Sequence, residues 1–423
     1  MNNDHSGFYG LGIAPNILAV LDRAHFTVPT PIQEKSIPQA IEGKDLVGIA
    51  QTGTGKTLAF GIPLIQHLLK NNRGRGLILL PTRELAEQVD EMLRKIGEPL
   101  GIKTAVLIGG EPIGRQHRAL ARKPQVIIAT PGRLIDHLEQ RTVSLKEISI
   151  LVLDEADRML DMGFAPQLKR ILVHLPAERQ TMLFSATMPE TIIAMTRAFL
   201  KLPVRVEIAR SGTTAKNVTQ ELFFVIQSEK LRLLEKILQE YRGSVLVFSR
   251  TKFAAKKIAL QIRAMGHTGV EFHSNRSLNQ RREALDGFRN GRYRILVATD
   301  IAARGIDVSN IELVINYDLP TIAEDYVHRI GRTGRAGESG HAISFARPDQ
   351  KADVYAIERL MRSSLPVSQL PALPPARAMA STEREFAPRQ QSRRFGPGAR
   401  PYSPRPSFRG GPRRPGYPHR NSR

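Results

Sequence analysis

The stretch Ala50-Gln51-Thr52-Gly53-Thr54-Gly55-Lys56-Thr57 decides the fold of this chain. It follows the apolar run 45–49 and precedes residues 58–69, which we expect to be helical after Pro63. A strand, a glycine loop and a helix in this order form a phosphate-binding loop, whose backbone N–H groups surround an anion at the positive end of the helix. The alternative is a chance Gly-Lys-Thr turn, since the strict pattern has Gly where this chain has Ala50.

The side chains of this loop predict its ligand. Lys56 is placed to reach the β- and γ-phosphates of a nucleoside triphosphate, and the Thr57 hydroxyl to bind Mg²⁺. The other loop residues that we expect at the nucleotide are Thr52, Gly53, Thr54 and Gly55.

Short apolar runs alternate with helical patterns on both sides of the loop. Such runs predict an α/β fold in which parallel sheets are covered by helices on both faces. The pattern stops in the small polar residues 210–217 and restarts without a second Gly-Lys-Thr loop, so we expect two tandem domains and one nucleotide site. The predicted divisions are an N-terminal segment 1–34, a first domain 35–209, a linker 210–217, a second domain 218–366 and a tail 367–423.

The composition points to a polyanionic partner. The chain has 423 residues, 41% of them hydrophobic, no Cys, and a net charge of +22. Disulfides and thiolate metal sites are therefore excluded, and a large basic excess favours nucleic acid. An acidic membrane surface is the rival partner, but the sequence has neither a run of about 20 apolar residues nor a basic amphipathic helix.

The tail carries much of that charge. Residues 381–423 contain eleven Arg, no Lys and two Glu, a net +9, with single aromatics spaced among Pro, Gly and Ser. Too little apolar surface is present to offset the ordering entropy, so we predict disorder. Arg with interleaved aromatics suits single-stranded nucleic acid. A merely solubilising tail is the alternative.

Asp154-Glu155-Ala156-Asp157 ends the hydrophobic run 148–153. In a phosphate-loop enzyme a carboxylate at this place binds Mg²⁺ through its water shell, and a second orients or deprotonates the attacking water. We assign Asp154 to the metal and Glu155 to the water. Acids that merely complement a helix dipole are the alternative.

These motifs, with others in fixed order, resemble those of the DEAD-box RNA helicases over residues 8 to about 360, and most of all the bacterial RhlE-type branch. The further motifs are Pro29-Thr30-Pro31-Ile32-Gln33, Pro81-Thr82-Arg83-Glu84-Leu85, Gly109-Gly110, Thr130-Pro131-Gly132-Arg133, Ser185-Ala186-Thr187, Val247-Phe248-Ser249-Arg250, Ala298-Thr299-Asp300-Ile301-Ala302-Ala303-Arg304-Gly305-Ile306-Asp307 and His328-Arg329-Ile330-Gly331-Arg332-Thr333-Gly334-Arg335.

The resemblance implies two RecA-like domains that close on ATP and Mg²⁺. Gln33 would pair with the adenine edge, since an amide offers a donor beside an acceptor. Phe8 would stack on the base and Phe26 shape its pocket, with core packing as the alternative for both rings. From the second domain the resemblance brings Gly305 and Asp307 to the nucleotide, and Arg332 and Arg335 to the γ-phosphate as arginine fingers.

The resemblance also implies an RNA-binding surface that extends across both domains. This surface would contact the phosphates and sugars of the RNA rather than its bases. Plain surface charge is the alternative for any single Arg in this set. A coupling element between ATP and RNA is expected at Asp157, Ser185, Thr187 and His328. The expected RNA-binding residues are Pro81, Thr82, Arg83, Gly110, Thr130, Gly132, Arg133, Arg250, Arg281, Thr299 and Arg304.

The chain departs from the family pattern in three segments. It has His25-Phe26 where the family has Gly-Phe, His273-Ser274 where it has His-Gly, and Leu278 where it has Gln, although Arg281 remains. The changes at Ser274 and Leu278 affect residues that the family uses to bind RNA with the second domain. They also affect residues that couple RNA binding to domain closure in the family.

We therefore expect a cytoplasmic, ATP-dependent RNA helicase that acts on short duplexes and RNA–protein complexes. Ribonucleoproteins and RNA-degradation proteins are the further partners that the resemblance suggests, and it suggests no membrane. An ATP-gated RNA clamp would use the same residues, so the sequence leaves that alternative open. A DNA translocase is a third reading, which Gln33 and the Asp154 string argue against.

Overall fold

The computed structural model describes residues 7–50, 53–71, 74–208, 218–303, 311–334 and 339–375. Within these ranges the predicted α/β fold is confirmed: seven strands form one sheet, six form a second, and every paired strand runs parallel. The strands of the first sheet are β1 Leu46–Ile49, β2 Arg75–Leu79, β3 Thr104–Leu107, β4 Val126–Ala129, β5 Ile148–Leu153, β6 Gln180–Ser185 and β7 Val204–Glu207. Those of the second are β8 Val218–Phe224, β9 Val245–Phe248, β10 Gly269–Phe272, β11 Ile295–Ala298, β12 Leu313–Asn316 and β13 Gly340–Ala346.

Helices cover both sheets. The spatial strand order is β3-β4-β2-β5-β6-β1-β7 in the first and β10-β11-β9-β12-β13-β8 in the second. The helices are α1 Pro15–Arg23, α2 Pro31–Ile41, α3 Lys56–Lys70, α4 Arg83–Gly97, α5 Ile113–Ala121, α6 Pro131–Glu139, α7 Ala156–Asp161, α8 Ala165–Leu172, α9 Glu190–Phe199, α10 Lys230–Glu240, α11 Lys252–Ala264, α12 Leu278–Arg289, α13 Asp300–Ala303, α14 Ala323–Ile330 and α15 Lys351–Met361.

The continuous apolar runs follow from burial on both sheet faces. In β5, Ile150 and Val152 pack into one core cluster, and Leu151 and Leu153 pack into the cluster on the opposite face. Successive side chains of a strand point to opposite faces, so both sets must be apolar when helices cover both sides.

Two elements differ from the sequence prediction. Helix α3 begins at Lys56 rather than after Pro63, which lies buried inside it; packing on both sides outweighs the hydrogen bond that the proline removes. Strand β10 was not predicted, because Gly269 and Glu271 interrupt its apolar pattern. Glu271 is nevertheless buried, and its carboxylate is paired with Arg263 at 3.2 Å and with Arg276.

The first residues of the predicted tail have contacts with the second domain. Ser368 N donates to Leu222 O at 2.9 Å, and Arg232 Nε donates to Pro374 O at 2.7 Å, so residues 367–375 lie against the second sheet and α10. Backbone hydrogen bonds to β8 compensate there for the low apolar content. Residues 376–423 lie outside the described residues, and disorder there stays a prediction, as do the domain limits. Across the ranges that the structure describes, no helix has the length and apolar character to cross a membrane.

Candidate functional site

The predicted site residues follow strand after strand at one edge of each sheet. Helices α3, α4 and α6 are the next elements after β1, β2 and β4, while Asp154 follows β5 and Thr299 follows β11. Because carboxyl ends of parallel strands share an edge, residues far apart in sequence become neighbours.

The phosphate loop depends on its glycines. Gly53 and Gly55 have φ of 85° and 89°, in the left-handed region that suits glycine. A Cβ on Gly55 would also lie 2.4 Å from Gln33 Nε2. Lys56 then starts α3, with its N-terminus directed at the loop. Thr52 lies outside the described residues.

Gln33 joins the segment predicted to read adenine to this loop. Its Nε2 donates to Gly55 O at 2.9 Å, its Oε1 accepts from Thr30 N at 2.9 Å, and Thr30 Oγ1 donates to Thr54 O at 2.7 Å. An amide has two N–H groups and two lone pairs, so one of each remains for a base. The nucleotide-reading and phosphate-binding segments are thus one unit.

The two aromatic residues assigned to adenine have other contacts. Phe8 is 3% exposed and packs in the first domain's core, which is the alternative considered for it. The ring of Phe26 is half-buried and lies 4.9 Å from the Lys95 ammonium. Stacking of Phe8 on a base stays a prediction and requires its ring to become accessible. The preceding His25, where the family has Gly, adopts φ of 61°.

Lys56, Asp154 and Glu155 form the buried centre of the site. Lys56 Nζ donates to Ala50 O at 3.1 Å and lies 3.9 Å from Asp154 Oδ1. Burial raises the pKa of Asp154 to about 6, against the opposing effect of the Lys56 ammonium. Glu155 has φ of 50° and ψ of 48°, a left-handed conformation for a non-glycine residue. Such strain costs of order 1–3 kcal/mol and is typical of functional sites.

The predicted coupling residues converge on Asp157. Asp157 Oδ2 accepts from Thr187 N and Thr187 Oγ1, both at 2.9 Å, and Ser185 Oγ donates to Thr187 O at 2.7 Å. Burial raises the pKa of Asp157, but Arg158, Lys56 and the Thr187 hydrogen bond outweigh it, so the net shift is downward. His328, from the second domain, is close enough to contribute to that shift, and burial lowers its own pKa.

Arg158 is a residue that the sequence reasoning missed. It is 2% exposed, its Nε lies 3.5 Å from Glu155 Oε2, and its Nε and Nη2 have no hydrogen-bond partner among the described residues. The only sequence signal was its position three residues after Glu155, on the same face of a helix turn. It lines a small cavity between the two domains with Phe248, Asp300, Ala303, Asp325, His328, Arg329 and Arg332.

Arg332 is held in that cavity by its neighbours on α14. Its Nε donates to His328 O at 3.3 Å. Arg329, three residues earlier, donates two hydrogen bonds of 2.5 and 2.7 Å to Asp300, which joins α14 to the start of α13. The structure therefore brings one predicted arginine finger to the cavity beside the Asp154–Asp157 string. Arg335, Arg304, Gly305 and Asp307 lie outside the described residues.

A second cavity, of about 340 Å³, spans both domains and is the candidate nucleic-acid groove. Arg83 shapes its wall: a Cβ on Gly110, which has φ of 82°, would collide with the Arg83 guanidinium, so glycine leaves it room. Arg133 Nη1 donates to Glu111 O at 3.1 Å. The predicted RNA residues lining this cavity are Pro81, Thr82, Arg83, Thr130, Gly132, Arg133 and Arg281, joined by Ser274.

Arg281 has a second contact besides the cavity, and two further predicted RNA residues do not line it. Arg281 is buried and paired with Glu84 of the first domain at 3.0 Å, so its guanidinium joins the domains as well as lining the cavity. Arg250 is exposed after β9, with its N donating to Asp318 Oδ2 at 3.1 Å. Thr299 is half-buried after β11.

Comparisons with known proteins agree with these motifs. Residues 30–195 match the family described as DEAD/DEAH box helicase, and residues 229–337 match the Helicase conserved C-terminal domain. The chain is 43% identical over 367 residues to the ATP-dependent rRNA helicase RRP3 of Debaryomyces hansenii, covering 86% of this chain and 77% of that protein. It is 42% identical to the DEAD-box ATP-dependent RNA helicase CshA of Geobacillus kaustophilus, covering 86% and 79%.

Solved structures resemble the arrangement of the two domains. S. cerevisiae Dbp5 bound to RNA and ADP BeF3 aligns with a TM-score of 0.75 at 29% identity, covering 86% of this chain and 96% of that one. A DEAD box protein from Methanococcus jannaschii is 36% identical, covers 86% and 99%, and has a TM-score of only 0.51. The TM-score of a two-domain chain depends on the relative orientation of its domains. The higher score therefore indicates that the domain orientation here is more similar to that of the RNA-bound Dbp5 than to that of the Methanococcus jannaschii protein.

Proposed function

This chain belongs to the DEAD-box family of ATP-dependent RNA helicases, and from that premise we propose that it hydrolyses ATP when RNA binds and locally unwinds or remodels short RNA duplexes and RNA–protein complexes. The observation that carries the proposal is the meeting of both domains at two cavities. One is lined by Arg158, which directly follows Asp157 in the sequence, and by Arg332, and the other is lined by Arg83 and Arg133 together with Arg281. The family assignment is confirmed; membership of the RhlE-type branch stays a prediction.

The nucleotide half of the proposal assigns each group a role. Lys56 binds the β- and γ-phosphates, and Glu155, held in its strained conformation, orients or deprotonates the attacking water. The Thr57 hydroxyl and the Asp154 carboxylate are hard oxygen donors that suit Mg²⁺, which would neutralise charge on the phosphates. Arg332 and Arg335 stabilise the developing phosphoryl charge, an effect worth roughly 10³–10⁵ in rate. Phe8, Phe26, Gln33, Gly305 and Asp307 complete the proposed adenosine contacts.

The RNA half of the proposal uses the groove between the domains. Arg, hydroxyl and glycine groups there bind phosphates and sugars, so affinity should depend steeply on salt and little on sequence. The arginines of 381–423 would add to that affinity. The proposed setting is the cytoplasm, with ribonucleoproteins or RNA-degradation proteins as further partners.

Closure links the two halves. ATP and RNA each favour the arrangement in which the second domain meets the first, so each tightens the binding of the other. The strand is bent so that it cannot stay paired, local separation follows, and hydrolysis removes the contacts that favour closure. The coupling residues Asp157, Ser185, Thr187 and His328 would connect the nucleotide to that change.

A strand-displacement assay on a short tailed RNA duplex, run beside ATPase assays with RNA, DNA and no nucleic acid, tests the proposal. RNA-stimulated hydrolysis with displacement supports a helicase. Stimulation without displacement would instead favour an ATP-gated clamp, and equal stimulation by DNA would favour a DNA translocase.

A further inference from the structure

Phe253 is exposed at the start of a basic helix. It is the second residue of α11, its side chain is 72% exposed, and it is the one exposed phenylalanine in the part of the chain that the structure describes. A single exposed apolar residue is ordinary on a protein surface. Its surroundings are what give this ring a function.

Two contacts of Lys252 connect the ring to the segment that lines the groove between the domains. Lys252 Nζ lies 5.4 Å from the Phe253 ring centre and donates to Asn275 Oδ1 at 2.9 Å. Asn275 directly follows Ser274, which lines the 340 Å³ cavity. One lysine side chain therefore spans the gap between the cavity wall and the aromatic ring.

The surface around the ring is positive. Arg250, Lys256 and Lys257 are exposed on the same turn and helix, and the sequence of α11 contains no acidic residue. A polyanionic strand leaving the cavity on this side meets cations first and then an aromatic face. That combination is the one by which proteins bind single strands without sequence preference.

We propose that Phe253 stacks on a nucleobase of an RNA strand that extends beyond the groove, with Lys252 and its neighbours holding the flanking phosphates. This inference rests on the proposed function, because it extends the same RNA site. The groove residues contact phosphate and sugar, whereas Phe253 contacts a base face. Every base has such a face, so the contact adds affinity and length dependence without adding sequence preference.

Binding of Phe253→Ala to single-stranded RNA, measured by fluorescence anisotropy, tests the proposal. Stacking on one base is worth about 1–2 kcal/mol, so the variant should bind about 5- to 30-fold more weakly to a strand long enough to reach α11. Phe253→Trp should bind that strand as the unchanged protein does. Tyr355→Ala removes an aromatic side chain of similar exposure, 68%, on α15 and serves as the matched control.

An abasic scan shows whether a base is the partner. A single abasic nucleotide is moved along the strand. At one position it should weaken binding to the unchanged protein by the factor that Phe253→Ala costs, and cost the variant nothing further. Unaltered affinity of Phe253→Ala for every strand, or equal abasic costs in both proteins at all positions, would overturn the proposal. If the unchanged protein itself fails to bind RNA, the proposed function fails instead, and the two results are distinct.

Discussion

Arg282 of α12 binds Glu87 of α4 across the boundary between the two domains. Its Nε donates to both Glu87 carboxylate oxygens, at 3.1 and 3.0 Å, and its Nη1 lies 2.8 Å from Glu111 Oε1. On the same helix, Leu278 is 4% exposed and packs in the first domain's core cluster. Helix α12 therefore carries ionic and apolar contacts of the second domain with the first.

Arg282→Ala should weaken closure. The pair is partly exposed, so its contribution is about 0.5–1 kcal/mol, and RNA-stimulated kcat/KM should fall two- to fivefold. Arg292→Ala is the matched control, since Arg292 pairs at 3.1 Å with Glu283 inside its own domain. Steady-state ATPase at several salt concentrations measures the effect. Equal kinetics of the two variants would show that this contact does not support closure.

Lys56→Ala should abolish ATP turnover and leave the protein folded. The ammonium is buried beside Asp154 and is the cation proposed to bind the β- and γ-phosphates, and alanine removes it. Malachite-green phosphate release with thermal unfolding of the same sample gives both readouts. Turnover at the original rate would mean that the loop is misassigned.

Arg158→Met should lower kcat about ten- to a hundredfold with little change in the KM for ATP. The reason is that the guanidinium lies 3.5 Å from Glu155, the proposed catalytic carboxylate, and even a small misplacement of a catalytic group is costly. Arg170→Met, at an exposed arginine that pairs with Glu139, is the control. A rise in KM with kcat unchanged would place Arg158 in nucleotide binding instead.

The stability of the first domain should fall as pH falls from 6.5 towards 4. His137 is fully buried, contacts Thr142 at 2.7 Å and Gln116 at 3.2 Å, and burial beside His117 and Arg133 lowers its pKa to about 4. The unfolded chain takes up the proton near pH 6.5 and the folded chain does not, so protonation favours unfolding in that window.

The His137→Gln variant isolates this effect. An amide retains hydrogen-bonding capacity but cannot be protonated, so its melting temperature should fall less over the same pH range. His174→Gln alters an exposed histidine and should follow the unchanged protein. Parallel pH curves for the unchanged protein and His137→Gln would show that another group carries the acid sensitivity.

The strands were predictable because their signal is local. The runs that became β9 and β11 are apolar at every position, and those of β1 and β5 are apolar except at Gly48 and Ser149, as burial on two faces requires. Strand β10 lacks that signal, since the ion pairs that permit Glu271 to be buried come from residues outside the strand. Pro63 likewise predicts an interruption of the helix from the sequence alone. The packing that permits it inside α3 comes from residues distant in the sequence.

The site was predictable to the extent that its residues stand in ordered motifs. The sequence identified Leu278 as a departure, but its burial in the other domain is a contact between distant segments and has no local pattern. The same applies to the contacts of Arg282 with the first domain and to the burial of the Arg158 guanidinium beside Glu155. Arg281 was predicted at RNA, and its pairing with Glu84 shows that part of its charge is used inside the protein.

The distance between α4 and α12 is the most direct test of closure by ATP and RNA together. The chain has no Cys, so Glu91→Cys and Glu283→Cys introduce the only thiols, at exposed positions on the two helices. Energy transfer between dyes at these sites should report a short distance when a non-hydrolysable ATP analogue and single-stranded RNA are both present, and a longer one with neither. A distance distribution that is the same with both ligands as with none would contradict the account.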